Sequence, residues 1–394
     1  MAQYSLKKIF QYLKPKDVAH LFLCLLVFPF AIIAKAFVRG FWLVCEDKNE
    51  ARDNGYWFFE YVRRCHPKRK IAYAINKSSP DYVKVKNLGK VISYGGVSHW
   101  FWYIVADKNI SSQKGGKPNA AVCYLFEVAL RLRRHNRIFL QHGVTVNSGA
   151  WLYKKNCYFD KFICAAKPEY EYIKDNFGYS EKELCLTGFA RYDNLNDDVT
   201  EKDLILVMPS WRQWLSGAQA EEEERDFCNS RYFKEWNGFL SDERFTALLE
   251  KYGKRAIFYP HRNMQGFLNR FAAGNDRIRV ADWKNYDVQD LLKRAALLIT
   301  DYSSIFFDFA YMRKPTVFYQ FDEEEYRERQ YKQGWFDYRN TRLGDYTKDR
   351  DTLLRVLEKR LAEGIKKLDE EKIKSIFGYS DNGNNERIYN AITQ

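Results

Sequence analysis

Short apolar runs of strand length recur along this chain, separated by stretches with helical periodicity. "KIAYAI" (70–75), "KVISYGG" (90–96) and "RIFLQHG" (137–143) are rich in β-branched and aromatic residues. Between them lies "AAVCYLFEVALRLRR" (120–134), whose apolar residues follow a helical pattern. The pattern restarts with "DLILVMPSW" (203–211), "RAIFYPH" (255–261), "IRVAD" (278–282), "ALLIT" (296–300) and "TVFYQF" (316–321). Helices such as "DERFTALLEKYG" fall between these strands. Strands that alternate with helices imply α/β architecture, with parallel sheets covered on both faces. For 394 residues, two successive α/β halves fit better than one sheet of all these strands. The polar stretch "NLNDDVTEKD" (194–203) has no apolar periodicity and is the expected boundary.

The N-terminal stretch obeys a different rule. "VAHLFLCLLVFPFAIIAKAFVRGFWLV" is apolar from Val18 to Ala34, with Lys7, Lys8, Lys14 and Lys16 before it and Lys35 and Arg39 after it. This run falls slightly short of the roughly 20 residues of a spanning helix, and Pro29 is expected to interrupt it. No small-residue cleavage site follows, as a secretory signal would require. Basic flanks suit a helical segment that dips into one leaflet and leaves both ends among anionic headgroups. A buried hairpin of a soluble protein and a true span are the alternatives. The formal charge of +13 suits anionic membrane, nucleic acid or phosphorylated substrate, without choosing among them. The basic residues are dispersed, which argues against nucleic acid. Eight cysteines show no CxxC or zinc spacing; Cys123, Cys164 and Cys185 sit in apolar runs, as reduced thiols on a cytosolic side would.

In open parallel sheets, ligands bind outside the carboxyl ends of the strands. Four polar groups fall there. His142-Gly143 follows "RIFLQ", Pro209-Ser210-Trp211-Arg212 follows "LILVM", Pro260-His261-Arg262 follows "AIFY", and Asp301-Tyr302-Ser303-Ser304 follows "LLIT". A helix that begins near Ser303 would leave amide N–H groups open to a phosphate, with small hydroxyls that permit its approach. Asp301 or Ser303 would equally serve as a simple cap. The cationic groups at neighbouring strand ends favour the phosphate. His142 has the titration range of a general base, Gly143 permits close backbone approach, and Thr145 adds a hydroxyl. His261 beside Arg262 suggests an anion between them. No His/carboxylate cluster or DxD stretch suggests a metal. Asp197-Asp198 lies in the presumed linker, and the Glu221–Glu224 run reads as a solvated loop. GxGxxG and P-loop patterns are absent, so nicotinamide enzymes and P-loop kinases are poor readings.

Assembled in order, "WLVCEDKNEARDNGYWFF", "LQHGVT", "TGFARYDNL", "VMPSWR" and "LITDYSSIFFDFAYMRKPTVFY" resemble the CDP-glycerol glycerophosphotransferase family of teichoic acid and capsule polymer synthesis. The resemblance implies two Rossmann-like domains in a GT-B-like arrangement; the reading of the residues divides them as 46–198 and 199–394, behind a membrane-associating segment at 1–45. It implies attachment to the cytoplasmic face of a bacterial cell membrane. It also makes His142 and His261 the catalytic pair and places Arg212, Ser303 and Ser304 on the donor side, where the strand-end reading adds Ser210, Arg262 and Asp301. Gly143 and Thr145 fall on the acceptor side. Arg262 departs from the proline that commonly follows the family's second histidine. The implied reaction transfers glycerol phosphate from CDP-glycerol to a hydroxyl of a lipid-linked or polymeric acceptor and releases CMP, with no cofactor and no metal. CDP-ribitol or another CDP-polyol as donor, and a GT-B nucleotide-sugar glycosyltransferase, are the alternatives. A non-catalytic membrane scaffold would not need both histidines and both serines.

Overall fold

The computed structural model describes residues 14–133, 135–196, 199–215 and 226–394. Lys7, Lys8, Arg134, the Asp197-Asp198 pair and the Glu221–Glu224 run lie outside them. Two compact units are present. The first comprises the described residues through His142, Ala150–Asp193 and Asp381–Gln394; the second comprises Gly143–Gly149 and the described residues of Asn194–Ser380. The chain therefore leaves the first unit and returns to it twice, which a linear division at one polar stretch does not capture.

The first unit is built on a seven-stranded, all-parallel sheet. Its spatial order is Lys90–Ser93, Ile71–Ile75, Trp42–Val44, Lys108–Ser111, Asn136–Phe139, Lys161–Cys164 and Leu184–Leu186. Numbered along the chain, that is 3-2-1-4-5-6-7, the doubly wound Rossmann order with one strand added. Trp42–Val44, which the sequence reading assigned to the membrane segment, is one of its interior strands. The second unit holds six parallel strands in the order Ile278–Val280, Arg255–Phe258, Glu201–Val207, Ala295–Thr300, Thr316–Tyr319 and Gly344–Thr347. This is 3-2-1-4-5-6. Every residue of Ile71–Ile75 and of Ala295–Thr300 is buried, as expected for strands covered on both faces. Trp236, Phe239, Phe258, Leu297, Ile299, Tyr319, Leu353 and Leu357 fill the second unit's core. The expected helix at 120–134 turns from α into π geometry at Leu125 and stops at Ala129; Arg131 then takes a left-handed φ of 55°.

Helix α1 (Pro15–Phe37) runs unbroken through Pro29, contrary to the expected interruption. One face explains the difference. Cys24, Val27 and Ala31 are buried against the same core as Trp100, Tyr103 and Val105 of α3 (Val97–Val105), with α2 spanning Asn54–Cys65 between them in the chain. Packing on both sides of the proline offsets its missing amide hydrogen bond. Asp17 accepts from the Lys14 amide at 3.0 Å and from Asn119 at 2.8 Å. Lys35 does not reach for headgroups. Its Nζ donates to the carbonyls of Ile104, Val105 and Ala106 at 3.2, 3.2 and 2.6 Å and so caps the end of α3. The opposite face of α1 exposes Phe22, Leu26, Phe30, Ile33 and Phe37.

The Lys35 contact is local and testable. Lys35→Met should lower stability by about 1 kcal/mol, the scale of a cation at a helix C-terminus. Thermal denaturation in mild detergent would register the shift, and an unchanged midpoint would deny Lys35 any role in docking α1.

Candidate active site

In the first unit, the site grows from the carboxyl ends of strands Trp42–Val44, Lys108–Ser111 and Asn136–Phe139. The first two flank the point where strand order reverses, the usual ligand crevice of this topology. His142 lies just beyond the third. Gln141 before it holds φ = 60°, a left-handed geometry that is costly for a residue with a Cβ. Its side chain is fastened to the Ile163 carbonyl at 2.8 Å and Glu169 at 2.9 Å. Asn54 holds the Gln141 carbonyl at 2.7 Å. The strained turn is thus pinned from three sides, and the His142 side chain is left 64% exposed.

Asp53 meets the ring. Its Oδ2 lies 2.6 Å from His142 Nδ1, with Gln113 Nε2 3.0 Å from the same nitrogen. Its Oδ1 accepts from Arg191 Nη1 at 2.7 Å, and Arg191 also donates to the His142 carbonyl at 2.9 Å. Partial desolvation by the surrounding protein opposes charge on His142, but the Asp53 carboxylate and its hydrogen bond outweigh this and hold the imidazole pKa above its ordinary value. Burial likewise pushes up the Asp53 carboxyl, and His142 and Arg191 reverse that, so its pKa is lowered. Glu46 stands behind. It accepts from the amides of Arg52, Asp53 and Tyr56 at 3.1, 3.3 and 2.8 Å, while burial and the Asp53 charge push its carboxyl up to about 7.

Arg191 is itself positioned from the far end of the chain. Asp193 accepts from the amides of Asn384 and Asn385, both at 2.9 Å, and from their side chains at 2.7 and 2.8 Å. These two residues open the helix Asn384–Thr393. Gly188 has φ +80°, and a Cβ there would meet Asn384 Oδ1 at 1.9 Å, so only glycine fits the contact.

In the second unit, the loops after Glu201–Val207 and Ala295–Thr300 again flank the order reversal. Arg212 and Asp301, read from sequence as donor ligands, are fully buried and pair with each other at 2.9 Å. Arg212 also forks onto Asp322 at 2.7 and 3.0 Å, beneath Tyr232, Tyr302 and Tyr326, each ring centroid 5.1 Å away. Ser210 is buried too; its amide donates to Asp301 at 2.7 Å and its Oγ accepts from Arg212 at 3.1 Å. These three groups brace the two loops and do not present themselves to a ligand. Asp301 caps no helix.

Ser303 and Ser304 remain half-buried ahead of the seven-residue helix Ile305–Tyr311. The Ser304 side chain makes no capping bond, and the Ile305 amide lies 3.4 Å from Ser303 Oγ. Gly143 belongs to this unit: a Cβ there would fall 2.4 Å from Ser304 Oγ. Thr145 follows it, its carbonyl held by Trp335 Nε1 at 2.8 Å. The acceptor-side reading of both residues thus meets a location beside the donor-side serines. His261 accepts from the Asn263 amide at 3.2 Å and lies near Trp211, and Arg262 covers the Trp283 ring at 4.2 Å. Sequence reasoning missed Arg327. It donates to Asn147 at 2.6 Å and lies 5.7 Å from the Tyr302 ring, while its buried Nε and Nη2 have no hydrogen-bond partner. Asp53, Glu46 and Arg191 were missed as well, although all three lie inside the quoted motifs.

Residues 39–394 match the protein family described as CDP-glycerol:poly(glycerophosphate) glycerophosphotransferase. The chain belongs to that family. It is 31% identical over 365 residues to the minor teichoic acid biosynthesis protein GgaB of Bacillus subtilis strain 168, which covers 90% of this chain and 39% of GgaB. It is 24% identical to the teichoic acid poly(glycerol phosphate) polymerase of the same organism, over 69% of this chain and 37% of that protein. The chain thus spans about two fifths of these relatives. The wall teichoic acid polymerase TagF has the same α/β, GT-B-like fold, at a TM-score of 0.65 and 15% identity, with 99% of this chain and 97% of that one covered.

The buried triad separates support from ligand binding. Arg212→Ala should destabilise the fold by about 3–5 kcal/mol, because it strands two buried carboxylates. Denaturant melts would measure this. A stable Arg212→Ala protein that merely loses donor affinity would return Arg212 to the ligand set.

Proposed function

We propose that the chain transfers glycerol phosphate from CDP-glycerol to a hydroxyl of a polymeric or lipid-linked acceptor, in the synthesis of a teichoic acid-type polymer. The observation that carries this reading is the Asp53–His142 pair at the strand ends of a chain in this family. Asp53 engages Nδ1, so Nε2 is the nitrogen that accepts the acceptor's hydroxyl proton. As that oxygen bonds to the glycerol-bearing phosphorus, the bond to the second phosphate breaks and CMP leaves. Ser303, Ser304, His261, Arg262 and Arg327 would hold the diphosphate and offset its developing charge, the positioning and electrostatic work that phosphoryl transfer requires. A histidine-to-asparagine TagF variant has been solved after a soak with CDPG, which supports a CDP-linked donor on this fold. Similarity to the ribitol-phosphate polymerase TarL of Staphylococcus aureus, 26% identical over 43% of this chain, keeps CDP-ribitol as the second reading.

The exposed apolar side of α1 supports attachment to a membrane surface. One face of the helix is committed to the protein core, so the other is free to lie in the membrane plane instead of spanning it. Its length and hydropathy alone would also permit a span.

Product analysis with CDP-glycerol, CDP-ribitol and UDP-sugars should yield CMP with a CDP-polyol. Release of a nucleoside diphosphate from a UDP-sugar would overturn the assignment in favour of glycosyl transfer.

His142→Ala should cut turnover at least about a hundredfold, the scale of a lost general base. A raised imidazole pKa keeps His142 protonated to higher pH, so activity should rise with pH through a value above 6.5. Asp53→Asn removes the group that raises it, and the acidic limb should then move to lower pH as the plateau falls. A limb that stays in place would show that another group governs it.

A further inference from the structure

At the opposite rim of the first unit's sheet, where its strands begin, a pocket of about 490 Å³ gathers cations from two parts of the chain. Arg39 comes from just beyond α1. His66, Lys68, Arg69 and Lys70 come from the turn between α2 and strand Ile71–Ile75, and Tyr389 closes the pocket from the helix Asn384–Thr393. The mechanism above uses none of them. Arg39, Lys68, Arg69 and Lys70 form no ion pair among the described residues. Asp107, the carboxylate that meets this segment, is engaged by the Gly40 amide and lies 3.9 Å from Lys35.

The pocket is built. Arg69 donates to the Tyr389 hydroxyl at 2.9 Å and lies 4.5 Å from the centroid of the Trp42 ring. His66 stacks on Tyr389 with centroids 3.6 Å apart and planes within 2°. Arg63 ties the turn down by donating to the carbonyls of Leu88 and Pro67, both at 3.2 Å. A fixed guanidinium with exposed lysines around it matches a phosphate in shape and charge.

Its place in the fold narrows the source of that phosphate. Arg39 stands two residues after Phe37, the 81% exposed end of the apolar ridge on α1. We propose that this pocket binds the phosphate headgroup of an anionic phospholipid while the ridge takes up the acyl chains. This rests on the membrane-face reading of α1. It makes attachment selective for lipid charge at one point instead of diffuse along the helix flanks.

Vesicle flotation of the full chain tests it, with phosphatidylcholine vesicles prepared with and without phosphatidylglycerol. The wild type should prefer the anionic vesicles. The triple variant Arg39→Gln/Lys68→Gln/Lys70→Gln should lose about fivefold in affinity per cation, on the order of a hundredfold in all, and only for anionic vesicles. A control triple, Arg355→Gln/Lys359→Gln/Lys366→Gln, changes the net charge equally and should keep the preference. At matched ionic strength, inorganic phosphate should displace the wild type better than chloride does. Equal losses in both triples would overturn the pocket in favour of diffuse attraction. Preferential binding of soluble poly(glycerol phosphate) over anionic vesicles would reassign it to a polymer. Phe30→Ser/Phe37→Ser should weaken binding to both vesicle types. If it changes neither while the pocket triple still acts, the membrane-face reading of α1 fails, and with it the acyl-chain half of the proposal, leaving only an anion site at the pocket.

Discussion

One carboxylate organises the first unit's site. Asp53 is shared between His142 and Arg191, and each of those side chains meets a different oxygen. The arrangement fixes the histidine tautomer and ring orientation, and it keeps the local charge near balance at a solvent-facing position. Its supports radiate outward: Glu46 holds the loop that carries Asp53, Asn54 and Glu169 hold the strained turn before His142, and Asp193 holds Arg191 through the helix Asn384–Thr393. A residue near the end of the chain therefore governs the geometry of a histidine more than two hundred positions earlier.

The second unit handles charge in the opposite way. Its strongest ionic contacts, Arg212 with Asp301 and Asp322, are sealed under three tyrosine rings. Buried pairs of this kind contribute little net stability but forbid alternative loop positions, because any rearrangement would strand a charge. The groups that remain for chemistry are the smaller or partly exposed ones, Ser303, Ser304, His261, Arg262 and Arg327. The division follows from burial: enclosed charges brace the backbone, and the others stay within reach of solvent.

α1 shows how one helix serves two surroundings. Its core-facing side carries Cys24, Val27 and Ala31, small enough for close packing against α3, while phenylalanines and leucines line the other side. Hydropathy averaged along the helix hides this division, since both faces are apolar. Only the size of the residues hints at it.

The sequence alone determined the alternation of strand and helix, the parallel sheets and the four polar groups at strand ends. These depend on residues within a few positions of one another, where period and turn chemistry leave a local signature. Asp53 carries no local signal of its role, because its partners His142 and Arg191 lie 89 and 138 residues away. Arg212 read as a ligand for the same reason: its carboxylate Asp322 is 110 residues distant. Trp42–Val44 was hidden in an apolar run that continues from α1. The tertiary structure decided which strand ends became neighbours, and with them which charges pair in the interior and which face solvent. Strand order sets that outcome through long-range packing, and no local pattern of residue types carries it.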